Sequence, residues 1–537
     1  MRTILYATLL TALGAASICA QTPVHPRDKQ IHDADTLAWW HTTEALSNDG
    51  MEGRDTGTAA YQRAADLVAA RFKAAGLQPT GDNGSYFQSV PMHQVDVVPQ
   101  GTSFVVERKD GAVPIEFLKE LTIGASANLP PDFSGAMTFR GYCGKESMAD
   151  IVGKVVVCFG TKRQGLPSAG ERAANARAGQ AAGLINVDDP YFSIEPPRWP
   201  AAYARSVTLS ESLAGKLIEP GVFLARPGEK TYTLPVATMT LSAEAFTKLL
   251  EGSGQDAAVV LKAGGTKQPL TSFEIPGTFI AKLHIITQNE IASPNILAVL
   301  PGSDAKFKDQ YVVIAAHLDG YGFGTPVNGD NLYNGALDDT AYVALLIQMA
   351  DDIKAGKLPA PKRSILFAAF CGEEKGLLGS NFFVKHPTIA QEKLVADVNL
   401  DQLRPLFPLH ILTAEALTDT TLGDTARAVG KPMGIEIRPD MEPERGLLRR
   451  ADQYPFLAIG VPAISFIFGY DPGTNAEKRY REWYQVRYHR PQDDLTQPMD
   501  FDAATKFDTF FYNLVEAIAN DPKRPEFLSG SQFVAKP

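Results

Sequence analysis

From about residue 295 the chain alternates between two textures. Unbroken apolar runs appear at NILAVL (295–300), YVVIAA (311–316), SILFAAF (364–370), VADVNL (395–400), HILTA (410–414) and AISFIF (463–468). Between them lie stretches whose apolar residues recur every three or four positions, as Val343, Ile347 and Ala350 do between Thr340 and Lys354. A strand that is apolar on both faces must be covered on both faces, so this half predicts an α/β sandwich, a sheet between two layers of helices. Toward the N-terminus the pattern is helical. TLAWWHTTEALSND (36–49) is one such stretch, and in the segment from Glu52 to Pro79 Tyr61, Ala65, Val68 and Phe72 share a face, with Gly76 as a stop. Between about Gly135 and Leu270 the texture changes to short strand-like pieces, KVVVCFG (154–160), AGLINV (182–187) and VATMTL (236–241), broken by Gly/Pro turns around one helical piece from Gly170 to Gly183. That shift predicts an inserted β-rich unit.

The first 20 residues have a basic start at Arg2, an apolar stretch from Ile4 to about Ala16, and small residues before Gln21. This is the layout of a cleavable secretory signal, and the stretch is too short to span a membrane. Cleavage after Ala20 and a periplasmic or secreted protein without a membrane anchor are therefore expected, since the bulky Ile18 before Cys19 makes a poor lipidation site. Removal of the signal leaves Cys143, Cys158 and Cys371. Three cysteines are no disulfide framework; Cys143 and Cys158 flank one turn region and either pair or remain buried thiols. With 51 Lys and Arg against 61 Asp and Glu, the net charge is −10. No basic cluster is visible, which argues against nucleic acid as a partner and leaves small molecules and proteins.

In a sheet of this kind ligands bind beyond the carboxyl ends of the strands. There the chain places His317 and Asp319 after YVVIAA, Glu373 and Glu374 after SILFAAF, and Asp401 after VADVNL. Asp338 and Asp339 precede the helix from Thr340, and Tyr488 and His489 follow AISFIF. Each has an ordinary explanation taken singly: a hydrogen-bonded His-x-Asp pair, a helix cap, a strand-end turn. Two adjacent glutamates on a glycine-flanked turn are by default solvated. Together the set supplies the two imidazoles and the shared and single carboxylates that a pair of divalent ions requires. The chain has neither a Gly-x-Ser-x-Gly elbow nor a Walker loop, and GYGFG (320–324) lacks the third glycine of a dinucleotide fingerprint and reads as a rim beside the site.

The stretches MEGRDTGTAAY, AAHLDG, NGALDDTAYVALL, CGEEKGLLGS, VNLDQ, ADQYPFLAIGVPAISF and YHRPQDD resemble, in order, the co-catalytic dizinc aminopeptidases of metallopeptidase family 28. The likeness covers about 36–125 and 275–520. It implies a mixed central sheet flanked by helices on both faces and two zinc ions, with Asp338 bridging, Glu374 and His489 completing one site, and His317 and Asp401 the other. It further implies Glu373 as general base, Tyr488 as donor to the developing oxyanion, and Asp319 orienting His317. The middle resembles a protease-associated domain. The implied organisation is a signal peptide at 1–20, the N-terminal part of the catalytic domain at 21–129, the inserted domain at 130–272, which contains no histidine, and the main catalytic part at 273–537.

The expected function is an exported zinc aminopeptidase acting on peptides, oligomeric state unknown. Open alternatives are a carboxypeptidase or dipeptidase, which Arg449 and Arg450 would suit as a cationic pocket, a glutaminyl cyclase using one zinc, and a non-catalytic receptor like the transferrin receptor. Two departures from the family pattern put the pocket's shape in question: Tyr342 where relatives carry small residues, and Gln402-Leu403-Arg404 after VNLD.

Overall fold

Alternate residues of one strand face opposite sides of its sheet. In the strand Tyr311–His317, Val312, Ile314 and Ala316 lie in one apolar core while Val313 and Ala315 lie in another. Ser364–Phe370 divides the same way: Ile365, Phe367 and Ala369 face one core, and Leu366, Ala368 and Phe370 the other. This two-sided burial is the reason for the unbroken apolar runs. The computed structural model describes residues 25–192, 201–210, 236–402 and 404–534, and the expected signal at 1–20 lies outside them. Among the described residues no helix is long and apolar enough to cross a membrane.

The larger sheet is mixed and ten-stranded. Its strands are β1 (Phe87–Val97), β2 (Ala204–Leu209), β3 (Ile285–Leu300), β4 (Tyr311–His317), β5 (Ser364–Phe370), β6 (Leu394–Leu400), β7 (Ile411–Glu415), β8 (Glu436–Pro439) and β9 (Ala463–Phe468), with Gln78–Pro79 paired to β3. The order is β8-β7-β9-β6-β4-β5-β3-β1-β2. Strands β5, β4, β6 and β9 run parallel at its centre, so their carboxyl ends share one edge. Helices α1 (Ala34–Ser47), α2 (Ala59–Ala74), α3 (Ala341–Lys354) and α6 (Phe501–Asn520) supply the first core, and α4 (Gln453–Ala458) packs in the second. Helix α5 (Asn475–Val486) leads into the loop carrying Tyr488 and His489. The indole of Trp39 on α1 donates to the Ala341 carbonyl at 2.6 Å, fixing the start of α3.

A second, eight-stranded sheet contains the expected strand pieces as Val155–Gly160, Gly183–Asp188 and Ala237–Leu241, with the helix Ala169–Ala178 opening on a Ser168/Glu171 capping box. Cys143 and Cys158 form a disulfide in a small apolar cluster beside it. This sheet and the span 130–272 are not coextensive. Ser103–Arg108, Gly111–Ile115 and Leu121–Ile123 belong to the smaller sheet, whereas β2, from inside that span, pairs with β1 of the larger one. Strand pairing is long-range, and composition along the chain does not report it.

Candidate metal centre

The carboxyl ends of β4, β5 and β6 deliver His317, the Glu373-Glu374 turn and Asp401 to one place. The ring of His317 is fixed by its own chain: Nδ1 donates to the Asp319 carbonyl at 3.1 Å, which turns Nε2 toward Asp338 Oδ1, 3.2 Å away. The hydrogen bond between Asp319 and His317 thus runs through the Asp319 backbone oxygen. Its carboxylate is 3.7 Å from Nδ1 and is otherwise employed, accepting from the Glu373 amide at 3.0 Å and the Thr56 hydroxyl at 2.9 Å. It therefore ties the glutamate turn to the loop before α2. That loop is freed from the helix because the Thr58 side chain caps α2 by accepting from the Tyr61 amide.

Asp338 stands at the centre. Its Oδ1 faces His317 and its Oδ2 lies 3.3 Å from His489 Nε2, and the same nitrogen is 3.3 Å from Glu374 Oε2. Asp401 Oδ1 and Glu373 Oε2 each lie 3.9 Å from His317 Nε2. The candidate ligands therefore divide into a His317 group and a His489 group with Asp338 between them. The peptide joining Asp338 to Asp339 is cis. Asp339 also reaches the His317 group, yet its oxygens accept from the amides of His317 and Gln402, both at 3.2 Å, which braces the end of β4 against the end of β6.

Several supports had no assigned role in the sequence. Asp493, inside YHRPQDD, accepts from the amides of Leu337 and Asp338, both at 3.1 Å, and so holds the central loop. Arg54, inside MEGRDTG, is fully buried and donates to the carbonyls of Leu318 at 2.9 Å, Leu46 at 3.0 Å, Asn334 at 2.7 Å and Gly335 at 3.0 Å. Burial lowers its pKa to about 10, partly offset by the carboxylates of Asp319 and Asp493, so it remains a cation beneath the site at neutral pH. Asp55 ion-pairs Lys375 at 3.1 Å and also Arg205, which places a cation beside the glutamate pair.

Local charge is strongly unbalanced. Burial pushes Glu373 well above the carboxylate range against the pull of His317, and Asp401 and Glu374 add to the rise. Burial and Asp338 push Asp401 up to about 7. Asp338 is an exception: burial would raise it, but the two imidazoles hold it below the usual range. For His317 burial acts downward, and Glu373, Asp338 and Asp339 together carry its pKa well above that of free histidine. Among the described residues, Asp401 Oδ1 and Asp338 Oδ2 are buried without a hydrogen bond, the latter meeting His489 only at ion-pair range. Orphaned buried carboxylate oxygens are costly. Two imidazole nitrogens with these oxygens form a donor set that suits divalent zinc, which accepts histidine nitrogen and carboxylate oxygen.

A cleft of about 490 Å³ opens onto Asp338, Glu373, Glu374 and His489. Tyr488 stands on its wall and accepts hydrogen bonds at its phenol from Gln402 Nε2 at 3.2 Å and Arg450 Nη2 at 3.1 Å. Gln402 has a left-handed backbone, φ 61°, and Tyr484 in turn donates to its side-chain oxygen at 3.0 Å. Tyr342 does not shape the cleft. It is fully buried with its ring against Phe507, 5.6 Å between centroids. Arg404 is likewise enclosed, its guanidinium over the rings of Tyr480, Trp483 and Tyr484, and Leu403 lies outside the described residues. GYGFG enters a two-stranded hairpin, Gly322–Val327 with Asp330–Tyr333, and Tyr321 lines the cleft.

Residues 295–515 match the model of peptidase family M28. A probable zinc metalloprotease of Pyrenophora tritici-repentis is 28% identical over 261 residues, 43% of this chain and 58% of that protein. The aminopeptidase YwaD of Bacillus subtilis is 26% identical over 208 residues, 38% of this chain and 40% of that protein. The chain spans about half the length of the curated relatives it matches. An aminopeptidase from Aneurinibacillus sp. strain AM-1 shares the fold with a TM-score of 0.59 at 18% identity, over 91% of this chain and 95% of that one. The family M28 match spans the segment that carries all five candidate ligands.

Proposed function

We propose that the protein is an exported zinc exopeptidase, an aminopeptidase that removes N-terminal residues from peptides. The observation that carries this reading is the position of Asp338, one carboxylate oxygen toward His317 and the other toward His489. One ion would be held by His317, Asp401 and Asp338, and a second by His489, Glu374 and Asp338. Bound zinc supplies Lewis acidity, which acidifies water and polarises a peptide carbonyl. Glu373 has no place in either ligand group and borders the cleft. Its carboxylate takes the proton from the attacking water and returns it to the leaving amine. Burial and neighbouring carboxylates raise its proton affinity, which suits that exchange. Tyr488, accepting from Gln402 and Arg450, uses its own hydroxyl proton toward the oxyanion. Tyr203 and Arg205, from within the span 130–272, also line the cleft, which supports a substrate-shaping role for that region as a protease-associated insert.

The second reading, a carboxypeptidase or dipeptidase, draws support from Arg449 and Arg450, both on the wall of the same cleft. A panel of free-amine, blocked-amine and free-carboxyl peptides separates the readings. An aminopeptidase cleaves only the free-amine members. Cleavage of blocked-amine, free-carboxyl peptides would establish the second reading, and cyclisation of N-terminal glutamine would establish the cyclase. Export is tested by N-terminal sequencing of the native protein, expected to begin near Gln21.

A further inference from the structure

Away from the cleft, four metal-ligating side chains meet where the start of the described chain lies against α1. His41 and Glu44 are three apart on α1, so they share a helix face. His25 and Asp28 are three apart in the segment laid over it. His25 Nδ1 contacts Glu44 Oε2, and His41 Nε2 is 2.9 Å from Asp28 Oδ1. The two imidazoles stack at 3.9 Å between centroids and 24° between planes. One donor atom each from His25, His41 and Glu44 lies within 4.8 Å of the others. Zinc bonds to nitrogen and oxygen of about 2.0–2.2 Å put neighbouring donors about 3–4 Å apart, so small side-chain rotations bring these into range.

We propose that His25, His41 and Glu44 form a divalent-metal site of the zinc or copper type, separate from the centre at Asp338, with Asp28 beside it on His41 Nε2. The strongest support is the second oxygen of Glu44. Oε1 accepts from the indole of the fully buried Trp40 at 2.9 Å, which directs Oε2 at the imidazoles. Metal ligands are commonly oriented by such an outer hydrogen bond. Stacked imidazoles repel when both are protonated, whereas one ion binds both in the neutral form together with ionised carboxylates. The donor set of two nitrogens and a carboxylate oxygen suits zinc, nickel or copper rather than calcium or magnesium. The segment held this way carries Arg27, which donates to the Gln497 carbonyl, and the Gln497 side chain donates to Asp493 at 2.6 Å. An ion here would pin that strap to the brace of the central loop.

The test is equilibrium dialysis of the full mature protein against zinc alone, with bound metal counted by elemental analysis. His25→Gln and His41→Gln should each lower bound zinc by one equivalent and abolish the part of the zinc-induced rise in Tm that the site supplies, with peptide hydrolysis retained. Repeating both substitutions in the Asp338→Ala protein keeps the result independent of the central site: one equivalent should persist there and disappear with His41→Gln. Unchanged zinc content in both single variants would show an ion-paired staple only and overturn the proposal. Should one variant fail to fold, the other decides.

Discussion

The two imidazoles that face Asp338 are held by different means. His317 ends a central strand, its side chain is 1% exposed, and its amide and Nδ1 are fixed by Asp339 and by the Asp319 carbonyl. His489 sits on a loop with a left-handed backbone, φ 53°, and its side chain is 13% exposed. Rings hold it: Tyr488 stacks on it at 3.7 Å, and the Tyr321 hydroxyl meets Nδ1 at 3.2 Å. Main-chain bonds within a buried sheet break only when the strand moves, whereas ring packing on a loop yields locally. The His317 half should therefore retain its ion more firmly, and the His489 half should exchange first.

The largest effect tests what the halves share. Glu373→Gln keeps size and hydrogen bonding but cannot accept the proton, so kcat should fall at least ~10²-fold with both ions retained; steady-state kinetics with elemental analysis check this. Glu374→Gln should instead lose affinity in the His489 half, and added zinc should partly restore activity. Next comes the asymmetry. Tyr321→Phe removes the hydroxyl from His489 Nδ1 and should weaken one ion about 10–100-fold, the range for loss of an outer-shell partner. Graded chelation should strip that ion while the other stays, and equal loss of both would show that the two halves hold their ions alike.

A smaller effect lies on the Asp401 side, where Glu415 at the end of β7 is buried with Oε1 lacking a hydrogen bond. Burial, with Asp440 adding, pushes it up to about 8 from 4.5. Between those values the folded chain binds a proton that the unfolded chain has lost, so this contribution to stability is complete below about 4.5 and disappears as pH rises through about 8. Glu415→Gln should flatten that slope and raise stability above pH ~8 by several kcal/mol, read from urea titrations across pH.

The central sheet was legible because two-sided burial leaves unbroken apolar runs, and His317, Glu374 and Asp401 stood out because each follows the end of such a run. The supports were not. Arg54 and Asp493 act across 264 and 155 residues of sequence, on the Leu318 carbonyl and the Asp338 amide. No local pattern marks such a partner. Gln402 read as a departure of unknown consequence, and its positive φ, which aims it at Tyr488, is set by the fold. Tyr342 looked intrusive because a sequence does not reveal which way a helix turns. Of the short strands at 103–123, Ser103–Arg108 pairs with Phe273–Lys282 and Leu121–Ile123 with Ala237–Leu241, both far along the chain, so local composition does not show which sheet they join.

If the Asp338 carboxylate joins two ions, the metal stoichiometry of the Asp338→Ala protein shows it. Against wild type dialysed in parallel, Asp338→Ala should hold two fewer equivalents of zinc, whereas His317→Ala or His489→Ala should each lose chiefly one. Retention of both tightly held ions by folded Asp338→Ala protein would contradict it.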